Sequence, residues 1–420
     1  MADVQPLRAL HYDLGRVGSL QGVAAPPYDV IDPEQRAELG SRSPYNVVHI
    51  DLPDASAGGD PYAHAGELLE RWRSDGAVVR DDEPAIWAIV QDYVAPDGSA
   101  RTRRGLFARI RVEDYGAGRI RPHERTHSGP REDRLRLTRA TRANLSPIFS
   151  LYSDPTGTAW GAVEPATAEL PYGELTDDEG TRHRLWRVAD PAAIATVQAT
   201  LADTELLIAD GHHRYETARV YADEVGGEGE HRYVLMCLVA LEDPGLEVFP
   251  THRLVRDTTP ATQEALGTAL RENFEVAEID HADLRPPDGD GPLTMGYIDG
   301  FFKRAFRLTL KDQAIADRVL DGMPEAYRTL DTAVLEALVL TGPLGLTEDD
   351  ISHLRGLGYS RTDQEALELV LSGAYDAAFF LRASPVSQVQ RVAEAGINMP
   401  PKSTYFYPKV PTGLLFNPLL

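Results

Sequence analysis

Apolar and polar positions divide the chain into recognisable elements. Two β-rich runs, AIWAIVQDYV (85–94) and GLFARIRV (105–112), flank the segment PDGSART, and Pro-Asp-Gly between such runs predicts a hairpin. A stretch over 62–76 has helical spacing and ends on Gly76. Farther on, LWRVAD (185–190) reads as a strand, PAAIATVQATLAD (191–203) as a helix and ELLIAD (205–210) as a buried strand. They are followed by HHRYETARVYADEVG (212–226), a helix stopped by Gly226-Gly227, and by the buried strand RYVLMCLVAL (232–241). Strand, helix, strand in that order predicts an α/β unit whose strand ends carry the site. The last third offers the helices DTAVLEALVL (331–340) and DQEALELVLSG (363–373), the apolar run AYDAAFFLRA (374–383), and the closing segment MPPKSTYFYPKVPTGLL (399–415).

These elements predict a mixed α/β (α+β) fold, laid out as an N-terminal α/β region over 1–154, a second over 164–291 and a C-terminal one over 292–420. Internal repeats and low-complexity tracts are absent, which excludes solenoids and propellers. The longest nearly unbroken apolar run, Tyr233 to Leu241, is half of what a bilayer crossing needs, so no membrane span is expected. The N-terminus MADVQPLRAL has no basic stretch before an apolar core, and a cytoplasmic protein is expected.

The 420 residues carry 42 Lys+Arg against 65 Asp+Glu, a net charge of −23 that disfavours nucleic acid as a partner. The single cysteine, Cys237, lies inside the apolar run and reads as a buried hydrophobe; intrachain disulfides and Cys-rich zinc sites are excluded. Only Lys303, Lys311, Lys402 and Lys409 are lysines, so nearly all positive charge is arginine, whose planar fork suits carboxylate or phosphate.

The densest chemical signal is Asp210-Gly211-His212-His213-Arg214, between an apolar strand and an amphipathic helix. At such a turn the first helical N–H groups point outward, Gly211 permits close approach and Arg214 can fork onto an anion, so phosphate is the natural ligand. The plainer alternative makes Asp210 an N-cap and places the histidines on a solvated face. A second signal, His123-Glu124-Arg125-Thr126-His127, matches the H-E-x-x-H pattern of zinc proteases, but Pro122 before it and Ser128-Gly129-Pro130 after it argue for a loop. There Glu124 could act as an acid or base and His123 as a ligand-binding group. Residues 119–142 hold eight arginines against three acids, a setting suited to an anionic small molecule or to a salt-bridged surface helix. Asn144 and Ser146 of the following RANLSP could line a polar pocket or form a turn. The segment 400–409 holds Lys402 and Lys409 among aromatic rings that could pack on a base or dock on the core. No Walker motif, dinucleotide fingerprint or G-x-S-x-G elbow is present.

PLRAL (6–10), APPYDVI (25–31), SPYNVV (43–48), PHERT (122–126), RANLSPIF (142–149), ADGHHRYETA (209–218), FPTHRLV (249–255) and MPPKSTYFYPKVPTGL (399–414) together resemble the bacterial and archaeal domain of unknown function 1015 family. The resemblance spans nearly the whole chain and implies no mechanism. More locally, residues 210–214 resemble the phosphate-binding turn of the ParB/sulfiredoxin-like superfamily, which includes nucleotide-dependent free-serine kinases. That likeness implies a ParB/sulfiredoxin-like nucleotide-binding unit, with a nucleotide phosphate on the 211–214 backbone and Arg214 and an acidic residue elsewhere activating a hydroxyl.

The expected function is therefore phosphoryl transfer between a nucleoside di- or triphosphate with Mg²⁺ and a small hydroxylated metabolite such as serine or phosphoserine. Gly211, His212, His213 and Arg214 would bind phosphate, with His213 counted as catalytic, and Asp210 would hold Mg²⁺ or orient a histidine. Glu124 would accept the hydroxyl proton, His123 and Arg125 would steady the anion, and His252 and Lys402 would add contacts. Two rivals remain: a metal-dependent hydrolase or phosphatase built on His123, His127, His212, His213 and Asp210, and a nucleotide-binding regulator without turnover. The partner expected in either case is an anionic small molecule.

Overall fold

A computed structural model describes residues 2–420 except 55–57, 97, 117–118, 125, 127, 288 and 290, with 128 and 130 described by backbone alone. Contacts group the chain into two compact units, one of residues 1–122, 126–246 and 408–420, the other of 123–125 and 247–407. The architecture is mixed α/β, with helices and sheets in both.

Nine strands form the sheet of the first unit: Val4–Gln5 (β1), Ile86–Val94 (β2), Ala100–Arg111 (β3), Ile120–Arg121 (β4), Ile148–Tyr152 (β5), Gly173–Thr176 (β6), Arg182–Val188 (β7), Leu206–Asp210 (β8) and Tyr233–Ala240 (β9). Their order is β4-β8-β5-β9-β3-β2-β7-β6, with β1 on β3. The predicted hairpin is β2 and β3, antiparallel from Trp87↔Phe107 to Val94↔Ala100. Strand β9 pairs parallel to β5 and antiparallel to β3, so it lies inside the sheet, and its residues are buried on both faces, which is why its sequence reads as an unbroken apolar run. Strands from the first two sequence regions thus share one sheet, because hydrogen bonds follow pairing and not chain order. Helices Pro191–Leu201 and His212–Val225 cover one face, where Val197, Leu201, Tyr215 and Ala218 join Ile208 and Met236 in one core.

Cys237 lies at the centre of β9, fully buried, and burial pushes its thiol up to about 12. The nucleophile is the thiolate, so the native protein is expected not to react with a disulfide reagent at pH 8 and to react once guanidinium unfolds it. Rapid stoichiometric labelling of native protein would contradict this placement.

In the second unit six strands, His252–Val255 (β10), Phe274–Ile279 (β11), Thr294–Asp299 (β12), Arg304–Leu310 (β13), Leu357–Ser360 (β14) and Ala377–Phe380 (β15), are ordered β11-β13-β12-β15-β10-β14. The run AYDAAFFLRA supplies β15, buried throughout. The helix expected over 331–340 is α-helical only to Leu335. A π-helix follows over Glu336–Leu340, closed by the N–H and hydroxyl of Thr341 on the Glu336 carbonyl, and it buries three successive apolar residues. The aromatics of the closing segment dock on the core: Tyr405–Tyr407 pairs with Glu247–Phe249, and Phe406 is wholly buried. Among the described residues no helix is long and apolar enough to cross a membrane.

Candidate functional site

The Asp210–Arg214 turn forms as its sequence dictates. Leu206 to Ala209 are buried in β8, and Asp210 then reaches partial exposure at the strand end. Gly211 follows in the left-handed region at φ +95°, which L side chains rarely adopt, and the 14-residue helix begins at His212. The glycine also leaves room for a neighbour. A Cβ there would lie 2.9 Å from Arg214 Nε, because the guanidinium folds back over the glycine. Gly211, not Asp210, occupies the N-cap position, and it has no side chain to cap with. The capping alternative for Asp210 therefore gives way to another role.

That role is to hold two cations. Arg214 Nη2 donates to Asp210 Oδ2 at 2.6 Å, and Lys409 Nζ donates to Asp210 Oδ1 at 2.8 Å. Side-chain exposures are 10% for Arg214, 15% for Lys409 and 17% for Asp210, so the triad is largely shielded from water. Burial pushes the Asp210 carboxyl upward, but Lys409 and then Arg214 outweigh it and hold the group well below the usual carboxylate range. Arg214 also donates through Nη1 to the Pro147 carbonyl. Its Nε is buried and, among the described residues, has no hydrogen-bond partner. Two cations against one carboxylate, at an uncapped helix N-terminus with the positive end of its dipole, leave a net positive cradle.

Next to the turn lies a cavity of about 40 Å³ lined by Asp51, Arg134, Asn144, Ser146, Arg214 and Thr217, with Leu137 and Val234 among its apolar walls. Ser146 donates to Asp51 Oδ2 at 3.1 Å, and Arg134 Nη1 to Asp51 Oδ1 at 3.0 Å. Asn144 Oδ1 accepts from Leu235 N–H and from Asn417 Nδ2. Asn144 and Ser146 thus line a polar pocket, the first of the two readings left open for them. Tyr28, from APPYDVI, has its ring 4.1 Å from the Arg134 guanidinium carbon, and burial pushes its phenol up to about 12 against the pull of Arg214 and Arg134.

His212 is buried and His213 half-buried on the first turn of the helix. Glu124 and His123 belong to the second unit with Lys402. There Glu124 Oε1 accepts the Lys402 backbone N–H at 3.0 Å, His123 Nε2 lies 2.9 Å from Thr404 Oγ1, and the His123 carbonyl accepts from Met399 N–H. His252 is fully buried in that unit, with Nδ1 accepting from Leu381 N–H and Nε2 at 2.9 Å from Asp363. Arg125 and His127 lie outside the described residues. Among the described residues no three His, Cys, Asp or Glu side chains come together as metal ligands. Each Asp210 oxygen accepts a hydrogen bond from a cation, Oδ2 from Arg214 and Oδ1 from Lys409.

Sequence reasoning gave Lys402 a contact role, named Lys409 only as part of the closing segment, and gave no role to Asp51, Arg134 or Tyr28. Lys409 carried a signal, being one of four lysines and set between Pro408 and Val410-Pro411. Asp51 carried none, as nothing near it in sequence shows that its partner is Arg134.

Among curated proteins none matches the chain. Among solved structures, a mutant free serine kinase in complex with AMP is similar at TM-score 0.38 and 13% identity, over 71% of this chain and 87% of that one. A conserved hypothetical protein from Pyrococcus furiosus gives 0.38 and 14%, over 73% and 93%. SbnI with C-terminal truncation from Staphylococcus aureus gives 0.37 and 11%, over 72% and 84%. Likenesses at these scores carry no argument about what the chain does. The family model for proteins of unknown function (DUF1015) matches residues 4–333, and the chain belongs to that family.

Proposed function

We propose that the Asp210–Arg214 turn binds the phosphate end of a nucleoside di- or triphosphate, and that the protein transfers a phosphoryl group to or from a small hydroxylated metabolite. The observation that carries this reading is the pair of cations on Asp210 at an uncapped helix N-terminus, with Arg214 Nε left for an acceptor. In-line phosphoryl transfer asks mainly for clamped phosphate charge and a positioned nucleophile. Asp210 fixes both cations before the anion arrives, so little ordering remains to oppose binding. Arg214 and Lys409 neutralise phosphate charge.

The test is a thermal-shift panel of ATP, ADP, pyrophosphate, Mg²⁺ and Zn²⁺ on wild type and Arg214→Ala. A phosphate-dependent rise in melting temperature is expected, with affinity weakened by about tenfold to a hundredfold in the variant, the worth of one charge-assisted contact. A flat response to every phosphate with a shift for zinc alone sinks the reading in favour of the metal hydrolase. Tight nucleotide binding without turnover on a panel of hydroxylated metabolites favours the regulator.

A further inference from the structure

Arg103, Gln91 and His183 form a polar line across the sheet of the first unit. Gln91 stands opposite Arg103 in the pairing of β2 with β3 and opposite His183 in that of β2 with β7, so the three side chains share one face. Each is at most 2% exposed, and burying such groups is costly unless they are hydrogen-bonded. Arginine can only donate, and Arg103 Nε and Nη2 reach Gln91 Oε1 at 2.9 and 2.6 Å. That decides the orientation of the amide. Its Nε2 lies 2.9 Å from His183 Nδ1 and 3.1 Å from the Lys409 carbonyl and donates to both. His183 Nδ1 therefore accepts, and the ring carries its proton on Nε2, which donates to Asp177 Oδ2 at 2.8 Å. The line thus ends on the backbone of the lysine whose ammonium rests on Asp210. Lys409 sits between Pro408 and Val410-Pro411, outside helix and strand, where a side chain supplies the hold that a ladder supplies elsewhere. Arg103 bears on the other partner too: its guanidinium carbon is 4.5 Å from the centre of the Phe149 ring, and Phe149 pairs with Asp210 across β5 and β8.

We propose that Gln91, held by Arg103 and His183, is a positioning residue, which fixes the Lys409 carbonyl so that the ammonium is set on Asp210 and completes the phosphate cradle. That a phosphate is what meets Lys409 rests on the function proposed above; the hold on Lys409 does not.

The experiment uses the full chain and Gln91→Glu. The carboxylate still accepts from Arg103 but has no N–H for the Lys409 carbonyl, so the hold is broken and no guanidinium is stranded. Gln91→Leu with Arg103→Met breaks it without adding charge and serves where the first variant does not fold. Isotope labelling of lysine alone gives one ammonium signal per residue, four in all. The Lys409 signal, identified by its absence in Lys409→Ala, is expected to exchange slowly with water in the wild type and to be lost to exchange in the Gln91 variants. Fast exchange already in the wild type, or an unchanged signal in either variant, overturns the inference. Pyrophosphate affinity is expected to fall about fivefold in Gln91→Glu and about tenfold in Lys409→Ala, and the combination should stay within about twofold of Lys409→Ala, because Gln91 acts through the lysine. An equal loss from Gln91→Glu with and without Lys409 overturns the positioning role, since the added charge then acts on the phosphate directly. Full affinity in Gln91→Glu, with weakened binding in Lys409→Ala, overturns it as well and leaves the proposed function standing. A wild type that binds no pyrophosphate, with the ammonium signal lost in the variants, brings down the phosphate reading and upholds the hold on Lys409.

Discussion

Replacing Asp210 with alanine is expected to destabilise the first unit by about 3–5 kcal/mol at neutral pH, the cost of leaving buried charge unpaired. Arg214 and Lys409 would both keep their cations, each at most 15% exposed, with no carboxylate between them. All four tryptophans, Trp72, Trp87, Trp160 and Trp186, belong to the first unit, so urea unfolding followed by their fluorescence reads that unit alone. The pH dependence has a definite sign. Folding depresses the Asp210 carboxyl, so its contribution is fully present above the unfolded value of about 4 and is lost as pH falls through the window below it. Asp210→Asn removes that contribution at every pH and should flatten the loss of stability on the acid side. A midpoint for Asp210→Ala within experimental error of wild type would mean that the triad does not form in solution.

The second large effect is expected at Asp51. Its ion pair with Arg134 is buried on both sides, each side chain 6% exposed, and Ser146 bonds the other oxygen. Asp51→Ala should cost about 3 kcal/mol by the same fluorescence measurement, the lower end of the range for a broken buried pair. The lower end applies because Asp133 still faces Arg134 at 2.7 Å. Changing both partners, Asp51→Leu with Arg134→Met, should cost less than Asp51→Ala alone, since no charge is then stranded. A double variant worse than the single would show that the pair itself, and not its desolvation, carries the energy. The same variants probe the site, because Asp51 and Arg134 share the cavity wall with Arg214.

The resemblance carried by short motifs acquires a physical meaning in the first unit. Tyr28 comes from APPYDVI, Asn144, Ser146 and Pro147 from RANLSPIF, Arg214 from ADGHHRYETA and Lys409 from the closing segment. They lie around the Arg214 guanidinium or its cavity, except Lys409, which shares the Asp210 carboxylate with Arg214. Asn46 of SPYNVV has a structural task, since its side chain donates to the carbonyls of Gly22 and Ala24 and accepts from Val48 N–H.

By itself the sequence determined the local elements and the turn. Apolar patterning marked β2, β3, β8 and β9 and the helices at 191 and 212, because burial on one face leaves a period and burial on both leaves an unbroken apolar run. It also marked Gly211 as a point of close approach, and the structure adds its positive φ. Only the tertiary structure decided which charges meet. Asp210 finds Arg214 four residues away, within reach of a helical spacing argument, but it finds Lys409 from the far end of the chain, and Asp51 finds Arg134 through packing. Such pairs are set by strand order and helix docking. Ion pairing between residues distant in sequence leaves no periodic trace, so the chain's own pattern could mark the Asp210–Arg214 turn but not that Lys409 meets it.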